Sequence, residues 1–529
     1  MKKKINGCMQ NAYKNKYIFL TLTVLLFVSH FMVRSKVDWP MRYMIPAFFV
    51  LIVLMFVLNF NDVKKIPRNA FYIILLIGSL YSLILPAGTG LDEQAHYANA
   101  MQIADGHFIN LVDKTEFYKV SPDAAFNPEG QVDKYNLYSR DWLQLKHKKS
   151  DYSVIKEKNY NIANPVFIPS AIGIRIGRIL SPYVFVSYYL GRMFNILALA
   201  TMAYFAIKKS KQYAIALFGV STIPICLWIS AGYNYDSFYY GLTLLAISWL
   251  INMFDDENKI QLKDIIVYSI FSCLLVLAKA PMVSIVILPL FISKSYYQSA
   301  KIKLVSFIPI ALTILLSGMW LAQTRLFAIF GYVSSTTADV DTGKVSNLTY
   351  FLAHLKDSIE VFIRTFFNVI GQNSFMQIGS PNGHLQAPFL PVDHAVLNNT
   401  NIVIFIVMIL ITSFAVNVEL PTYFKTILIT INVFIIFATI YAIAGDSRVY
   451  SQGEPVVEGI QGRYLFITMT SLPVLLSTPI KKIFGLGSAM SAIDVKIEEH
   501  ICAVVMKLCL FGALLTTYTY FYVTGDLIF

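Results

Sequence analysis

Apolar runs of roughly 17 to 25 residues recur along the whole chain, and no other feature limits its fold so much. Wound as a helix, one such run crosses the hydrocarbon core of a bilayer with every backbone group bonded inside the segment. A β-barrel would show shorter alternating segments, and an open sheet cannot turn its unpaired edges to lipid. The composition agrees: 56% of residues are hydrophobic and 14% are charged. The expected fold class is an all-α polytopic membrane protein, with residues 1–529 forming a single integral membrane domain.

Spans are expected near 17–33, 41–60, 70–86, 183–206, 212–231, 237–254, 264–278, 281–293, 302–323, 401–417, 424–444, 464–480 and 501–523, about 13 in all. Lys2, Lys3, Lys4, Lys14 and Lys16 precede the first run, which reads as an uncleaved signal anchor with its amino terminus in the cytoplasm. The net charge of +12 does not call for nucleic acid, because the basic residues fall in short loops between spans. Five cysteines, four of them in apolar runs, give neither a disulfide framework nor a zinc-ligand spacing. Low charge, abundant Lys, Ile and Asn, and the lack of a eukaryotic targeting signal point to a bacterial plasma membrane.

The run from Asp264 to Ser293 is read as a hairpin broken at Lys279-Ala280-Pro281. Proline removes a backbone donor and disfavours helix at the residue before it. Only the hairpin keeps both flanking basic segments on the cytoplasmic side. Two long extracytoplasmic segments then remain. Residues 87–181 carry mixed charge, many tyrosines and Trp142, and read as a folded loop layer. Residues 324–400 include an amphipathic helix over Tyr350–Ile370, in which Leu352, Leu355, Ile359, Phe362, Ile363 and Phe366 recur at helical spacing.

The candidate chemistry gathers on that outer face. Asp92 and Glu93 open the first loop just past a span, and in a helix Asp92, His96 and Asn99 would share one face. Such a carboxylate can act as a general base or, with the imidazole, hold a divalent cation. The plainer alternative is a helix start, where acidic residues favour the dipole. Asn234-Tyr235-Asp236 opens another span, as a polar turn or a binding element. Lys279, at a hairpin tip, could snorkel or reach a lipid phosphate. Gln461-Gly462-Arg463-Tyr464 precedes a late span; its arginine suits forked recognition of phosphate, or an interfacial anchor. Arg175, Arg178 and Arg192 raise the same question at lower rank.

The order of these landmarks resembles a family. Asp92-Glu93-Gln94-Ala95-His96 after an early span is similar to the first-loop acidic motif of the DUF2142 family, bacterial membrane proteins placed with the GT-C glycosyltransferases. Asn164-Pro165 with Gly177-Arg178, Gly191-Arg192 with Asn195, Asn234-Tyr235-Asp236, Lys279-Ala280-Pro281 and Gln461-Gly462-Arg463-Tyr464 follow in the family's order. The likeness runs from about Phe71 to Ser477. It departs at Leu91 and Gln94, where the family usually has prolines, and at Lys-Ala-Pro in place of Lys-Pro.

The resemblance implies a GT-C-like bundle with the first outer loop folded over a cavity. It implies transfer of a sugar from a polyprenyl-phosphate donor to a cell-envelope glycan or lipid acceptor. One carboxylate of the catalytic pair Asp92 and Glu93, Asp92 by preference, would then be the base, with Glu93 and His96 orienting it or sharing a metal ion. His96, Asn234, Asp236, Lys279, Gln461 and Arg463 would line the substrate site. A divalent cation, Mg or Mn, could sit between Asp92 and His96 but is not required, because basic side chains can neutralise the leaving phosphate. The rival readings are a transporter, flippase or polymerase of lipid-linked glycans, and a non-catalytic envelope assembly protein.

Overall fold

The computed structural model describes residues 2–32, 44–60, 62–84, 87–88, 90, 92–111, 114–125, 140–152, 159–255, 259–329, 342–371, 403, 405–446, 449–460, 462–483 and 495–523. Their secondary structure is almost wholly helical. The chain opens with α1 (Lys2–Met32), α2 (Met44–Val57) and α3 (Ile66–Ile84). A smaller layer follows: α4 (Glu93–Ala104), α5 (Lys114–Val120), α6 (Pro122–Ala125), α7 (Arg140–Gln144) and α8 (Ile168–Leu180). It contains a two-residue antiparallel ladder, β1 (Asn110–Leu111) on β2 (Asn159–Tyr160). The bundle centre comprises α9 (Val184–Lys209), α10 (Ala214–Ser221), α11 (Pro224–Ser230), α12 (Asp236–Asn252) and α13 (Leu262–Ala278). Beyond it lie α14 (Ala300–Val305), α15 (Phe307–Leu321), α16 (Gln323–Ile329), α17 (Thr342–Ala353) and α18 (Leu355–Gly371). The last helices are α19 (Phe405–Phe414), α20 (Thr422–Ala444), α21 (Phe466–Ile483) and α22 (Val495–Val523).

Among the described residues, four helices are long and apolar enough to cross a membrane: Val63–Leu83, Val184–Lys209, Ala300–Leu321 and Thr422–Ala444. The 26 residues of α9 reach about 39 Å, more than a hydrocarbon core requires. Only 22% of the apolar window over Ala300–Leu321 is buried, so its remaining surface, with Ile308, Leu312 and Leu315, suits lipid.

The helices sort the loops to two ends. Asn195 Nδ2 donates to Gly232 O near the start of α12, and Ser248 Oγ donates to Ala206 O near its finish, so α9 and α12 run side by side in the same direction. At the far end Asn417 N donates to Gln212 O, Lys481 Nζ to Val416 O and Lys425 Nζ to Thr478 Oγ1. Ile260 bridges to Tyr297 at the same end, so the segment after α13 returns to the side from which α13 left. The basic loops therefore share one end, and the starts of α4, α9 and α12 occupy the other.

The expected elements differ in detail: α1 begins at Lys2, well before the span expected at 17–33, and three others are interrupted. The run 212–231 is not one helix: α10 stops at Ser221 and α11 starts at Pro224. Pro224 cannot donate to a continuing helix, while the Thr222 hydroxyl donates to Phe218 O at 2.8 Å and ends the preceding turn. The run 281–293 winds as 3-10 turns over Ala280–Ile285 and Leu288–Phe291, with Pro281 and Pro289 in their first turns. Its carbonyls find tyrosines instead: Tyr268 donates to Ile285 O and Tyr297 to Pro289 O. The helix expected over 350–370 breaks at His354 between α17 and α18, where the Ser358 hydroxyl donates to Phe351 O and His354 O. Its apolar stripe divides. Phe362 and Phe366 stack on Phe437, whereas Leu352, Leu355, Ile359 and Ile363 are exposed.

The smaller layer has its own core, in which Phe117, Trp142, Val166 and Phe167 surround Tyr97, Tyr188 and Tyr233. The rings of the last three lie 4.8 to 5.0 Å apart, pairs worth about 0.5–1.5 kcal/mol each beyond area burial. Gly173 and Gly177, four apart on α8, press that layer onto α9. A Cβ at Gly177 would sit 2.3 Å from Ser187 Cα, and one at Gly173 2.5 Å from Leu190 O.

Candidate functional site

Glu93, in the first turn of α4, is 1% exposed. Arg192, a little over two turns into α9, forks onto it, with Nε donating to Oε1 at 2.8 Å and Nη2 to Oε2 at 2.6 Å. The backbone N–H groups of Tyr233 and Gly90 add a bond to each oxygen, both at 2.9 Å. Burial by itself pushes the Glu93 carboxyl up, but the charge and hydrogen bonds of Arg192, with the two amides, hold it below its ordinary value. Both oxygens accept two bonds, so no acceptor position remains for a substrate proton. Glu93, expected in the catalytic pair with Asp92, lies in a closed clamp joining α4, α9 and the Tyr233 turn.

Asp92, one residue earlier, is arranged differently. Its φ of 51° makes it the sole non-glycine residue with positive φ among the described residues. Its backbone carbonyl starts α4 by accepting from His96 N, but its side chain makes no capping hydrogen bond. The helix-start alternative thus accounts for its backbone and not for its carboxylate. That carboxylate is 56% exposed and lies 3.8 Å from Arg463 Nη2.

From Arg463 inward, charges alternate. Arg463 Nη1 is 3.3 Å from Asp236 Oδ2, and Asp236 Oδ1 is 2.8 Å from Lys279 Nζ. The Asp236 side chain is fully buried and that of Arg463 is 3% exposed. The Lys279 ammonium sits over the rings of Tyr464, Tyr235 and Tyr239 at 4.1, 4.7 and 4.9 Å. Asp92, Arg463, Asp236 and Lys279 thus form a formally neutral row with one exposed end. Lys279 acquires its place because α13 ends there in extended backbone before Pro281.

Asn234 serves the row through the backbone: its Oδ1 accepts from Asp236 N at 2.7 Å, in the turn that starts α12. His96 is buried with its ring 5.1 Å from that of Tyr235 and 5.5 Å from that of Phe167. Gln461 lies outside the described residues. A metal between Asp92 and His96 fits this arrangement poorly, since the imidazole lies among aromatic rings and a guanidinium already faces the carboxylate. Among the described residues no three His, Cys, Asp or Glu side chains converge.

Arg192 is the residue that sequence reasoning ranked too low, although Gly191 beside it carries a signal. A Cβ at Gly191 would lie 2.0 Å from the Tyr233 hydroxyl, so glycine there admits the turn that also holds Glu93. Asn164 is a second such residue: its Nδ2 donates to Leu277 O and ties the smaller layer to the end of α13, beside Lys279.

Fold and site together define a polytopic helical membrane protein in which a clamped smaller layer presents one carboxylate above a buried row of charges. Residues 75–471 match the family described as predicted membrane protein (DUF2142), and the chain belongs to that family. The match contains every site residue from Asp92 to Arg463. No curated protein and no solved structure matches the chain.

Proposed function

We propose that this protein is a GT-C-type glycosyltransferase of about 13 spans in the bacterial plasma membrane, with its site on the extracytoplasmic face. It would move a sugar from a polyprenyl-phosphate donor to an envelope glycan or lipid acceptor. The observation that carries the reading is Asp92: a half-exposed carboxylate in left-handed backbone, without a capping role, beside a buried arginine. Strained backbone of this kind, held by its surroundings, concentrates at functional sites.

In this reading the acceptor hydroxyl gives its proton to Asp92 as its oxygen bonds to the anomeric carbon. The bond from that carbon to the phosphate oxygen breaks, and the lipid phosphate leaves with the electron pair. Arg463 faces the growing negative charge. Lys279, engaged by Asp236 inside the tyrosine rings, acts one step back by holding Asp236 and through it Arg463. Glu93 positions Asp92 by closing the loop. No step runs through a metal.

The test is sugar transfer from a panel of polyprenyl-phosphate sugars by protein reconstituted in lipid, wild type against Asp92→Asn. A general base contributes about 10²- to 10⁴-fold, so a folded variant is expected to lose at least a hundredfold. Equal transfer by the variant removes Asp92 from the chemistry.

A second reading has its own support. The chain breaks at Thr222–Ile223 as well as at Lys279, and paired interrupted segments are a mark of transporters. A flippase would move a labelled lipid-linked glycan across a vesicle without altering its bonds.

A further inference from the structure

Pro281 follows Leu277 by four residues, in the place from which a continuing helix would give Leu277 O its backbone hydrogen bond. Proline has no N–H and its ring excludes the helical arrangement there, so this carbonyl at the end of α13 needs another donor. The preceding turn is served from within the helix, where Lys279 N donates to Leu275 O at 2.8 Å. Leu277 O is served from outside. The Asn164 side chain, 113 residues earlier in the chain, donates to it through Nδ2 at 3.0 Å.

Asn164 is itself held in place. Pro165 confines the residue before it to extended backbone, and Asn164 has φ −69° and ψ 122°. Its Oδ1 accepts from Val166 N at 3.2 Å, so the two ends of the amide have separate partners. Val166 and Phe167 are buried in the core of the smaller layer, and Ala278 packs against that same core. Lys279 comes next in the chain. It leaves α13 in extended backbone, with φ −146° and ψ 112°, and from there its Nζ lies 2.8 Å from Asp236 Oδ1.

We propose that Asn164 is a positioning residue of the site: its amide supplies the hydrogen bond that Pro281 removes, fixes the end of α13, and so sets Lys279 against Asp236 and, through it, Arg463. Its part in transfer rests on the glycosyltransferase reading, whereas its hold on Lys279 does not. Asn164 touches none of the reacting atoms in that reading and acts only through the row. The smaller layer thereby meets the bundle at two polar points, the Glu93 clamp on α9 and the Asn164 amide on α13, and the charge row ends at both.

The test uses full-length protein in detergent and two variants. At about pH 8 Asn164→Asp keeps an oxygen for Val166 N but has no proton for Leu277 O, and Asn164→Leu removes both bonds. Acylation of each lysine by an amine-reactive ester is followed by mass spectrometry, with Lys425, bonded to Thr478 at the far end, as the control. Lys279 is 9% exposed and paired, so it should label slowly in wild type. Leaving a buried acceptor unpaired is expected to speed its labelling on the order of tenfold in both variants, with Lys425 unchanged. Labelling of Lys279 at the wild-type rate overturns the proposal, and so does an equal rise at both lysines, which is general loosening. A rise in Asn164→Leu alone assigns Asn164 to the Val166 turn and overturns it too. In the transfer assay Asn164→Asp is expected to lower kcat on the order of tenfold with the donor KM near wild type, and an unchanged kcat overturns the role in transfer. Labelling needs no sugar transfer, so it decides the hold on Lys279 even where wild type transfers nothing and the glycosyltransferase reading fails.

Discussion

Glu93 and Arg192 stand 99 residues apart in the chain, yet they meet as a forked pair with no exposed surface on either side chain. The pair fastens the first turn of α4 to α9, and two backbone amides complete it. Asp92 inherits its position from this clamp.

Breaking the pair from one side leaves a buried charge uncompensated, at a cost of about 3–5 kcal/mol. Glu93→Leu and Arg192→Met singly are expected to lower the unfolding temperature sharply in detergent. The double variant should be milder than the sum of the two, and additive losses would show that the groups are not coupled.

The clamp also sets a pH dependence. The Glu93 carboxyl lies lower in the folded protein than its ordinary value near 4.5, so its stabilisation is complete above that pH and lost as the pH falls through the folded value. Thermal stability of wild type should have an acid limb below about pH 4.5 that Glu93→Gln flattens. An identical limb in the variant would assign acid sensitivity to other carboxylates.

At Asp92 two effects separate. Asparagine populates left-handed backbone readily and alanine does not, with a penalty of about 1–2 kcal/mol. Asp92→Asn should keep the wild-type melting temperature while losing transfer, Asp92→Gly should melt at or above wild type, and Asp92→Ala should melt below it. Melting in the order Ala above Gly would contradict the strain assigned here.

Arg463 spans two carboxylates through separate nitrogens, 3.8 Å to Asp92 and 3.3 Å to Asp236. A lysine keeps the charge but offers one compact ammonium. Arg463→Lys is expected to fold and to lower kcat more than it raises KM for the donor. A pure KM effect would place Arg463 in ground-state binding alone.

Gly177 tests the packing of the smaller layer. Gly177→Ala puts a methyl group against the backbone of Ser187, whereas a Cβ at Gly318, on α15, meets nothing within 4 Å. The first should lower the melting temperature and the second should leave it level or raise it, since alanine is favoured over glycine in helix by about 1 kcal/mol.

Much of the bundle was legible because hydropathy and proline act locally. The apolar runs gave α3, α9, α12, α13, α15 and α20 to within a few residues, and Lys279-Ala280-Pro281 marked the end of α13. The break at Pro224 was equally available, since a proline inside an apolar run lacks the same donor there. The stripe in α18 was read correctly as helical, but which of its faces is covered depends on Phe437, far along the chain.

The site divides along the same line. Chemistry near the membrane edge drew notice to Asp92, Glu93, Asp236, Lys279 and Arg463 one by one, because charged groups beside apolar runs are costly and few. Their roles followed from distance. Adjacent in sequence, Asp92 and Glu93 part because the left-handed turn sends one carboxylate to Arg192 and leaves the other half exposed near Arg463. By itself the sequence determined that this chain is a bundle of apolar helices with basic loops, since lipid demands internal backbone pairing and long apolar surface. Only the tertiary structure decided which charge neutralises which, because electrostatic pairing depends on separation in space, and the partners lie on helices whose neighbours no local pattern records.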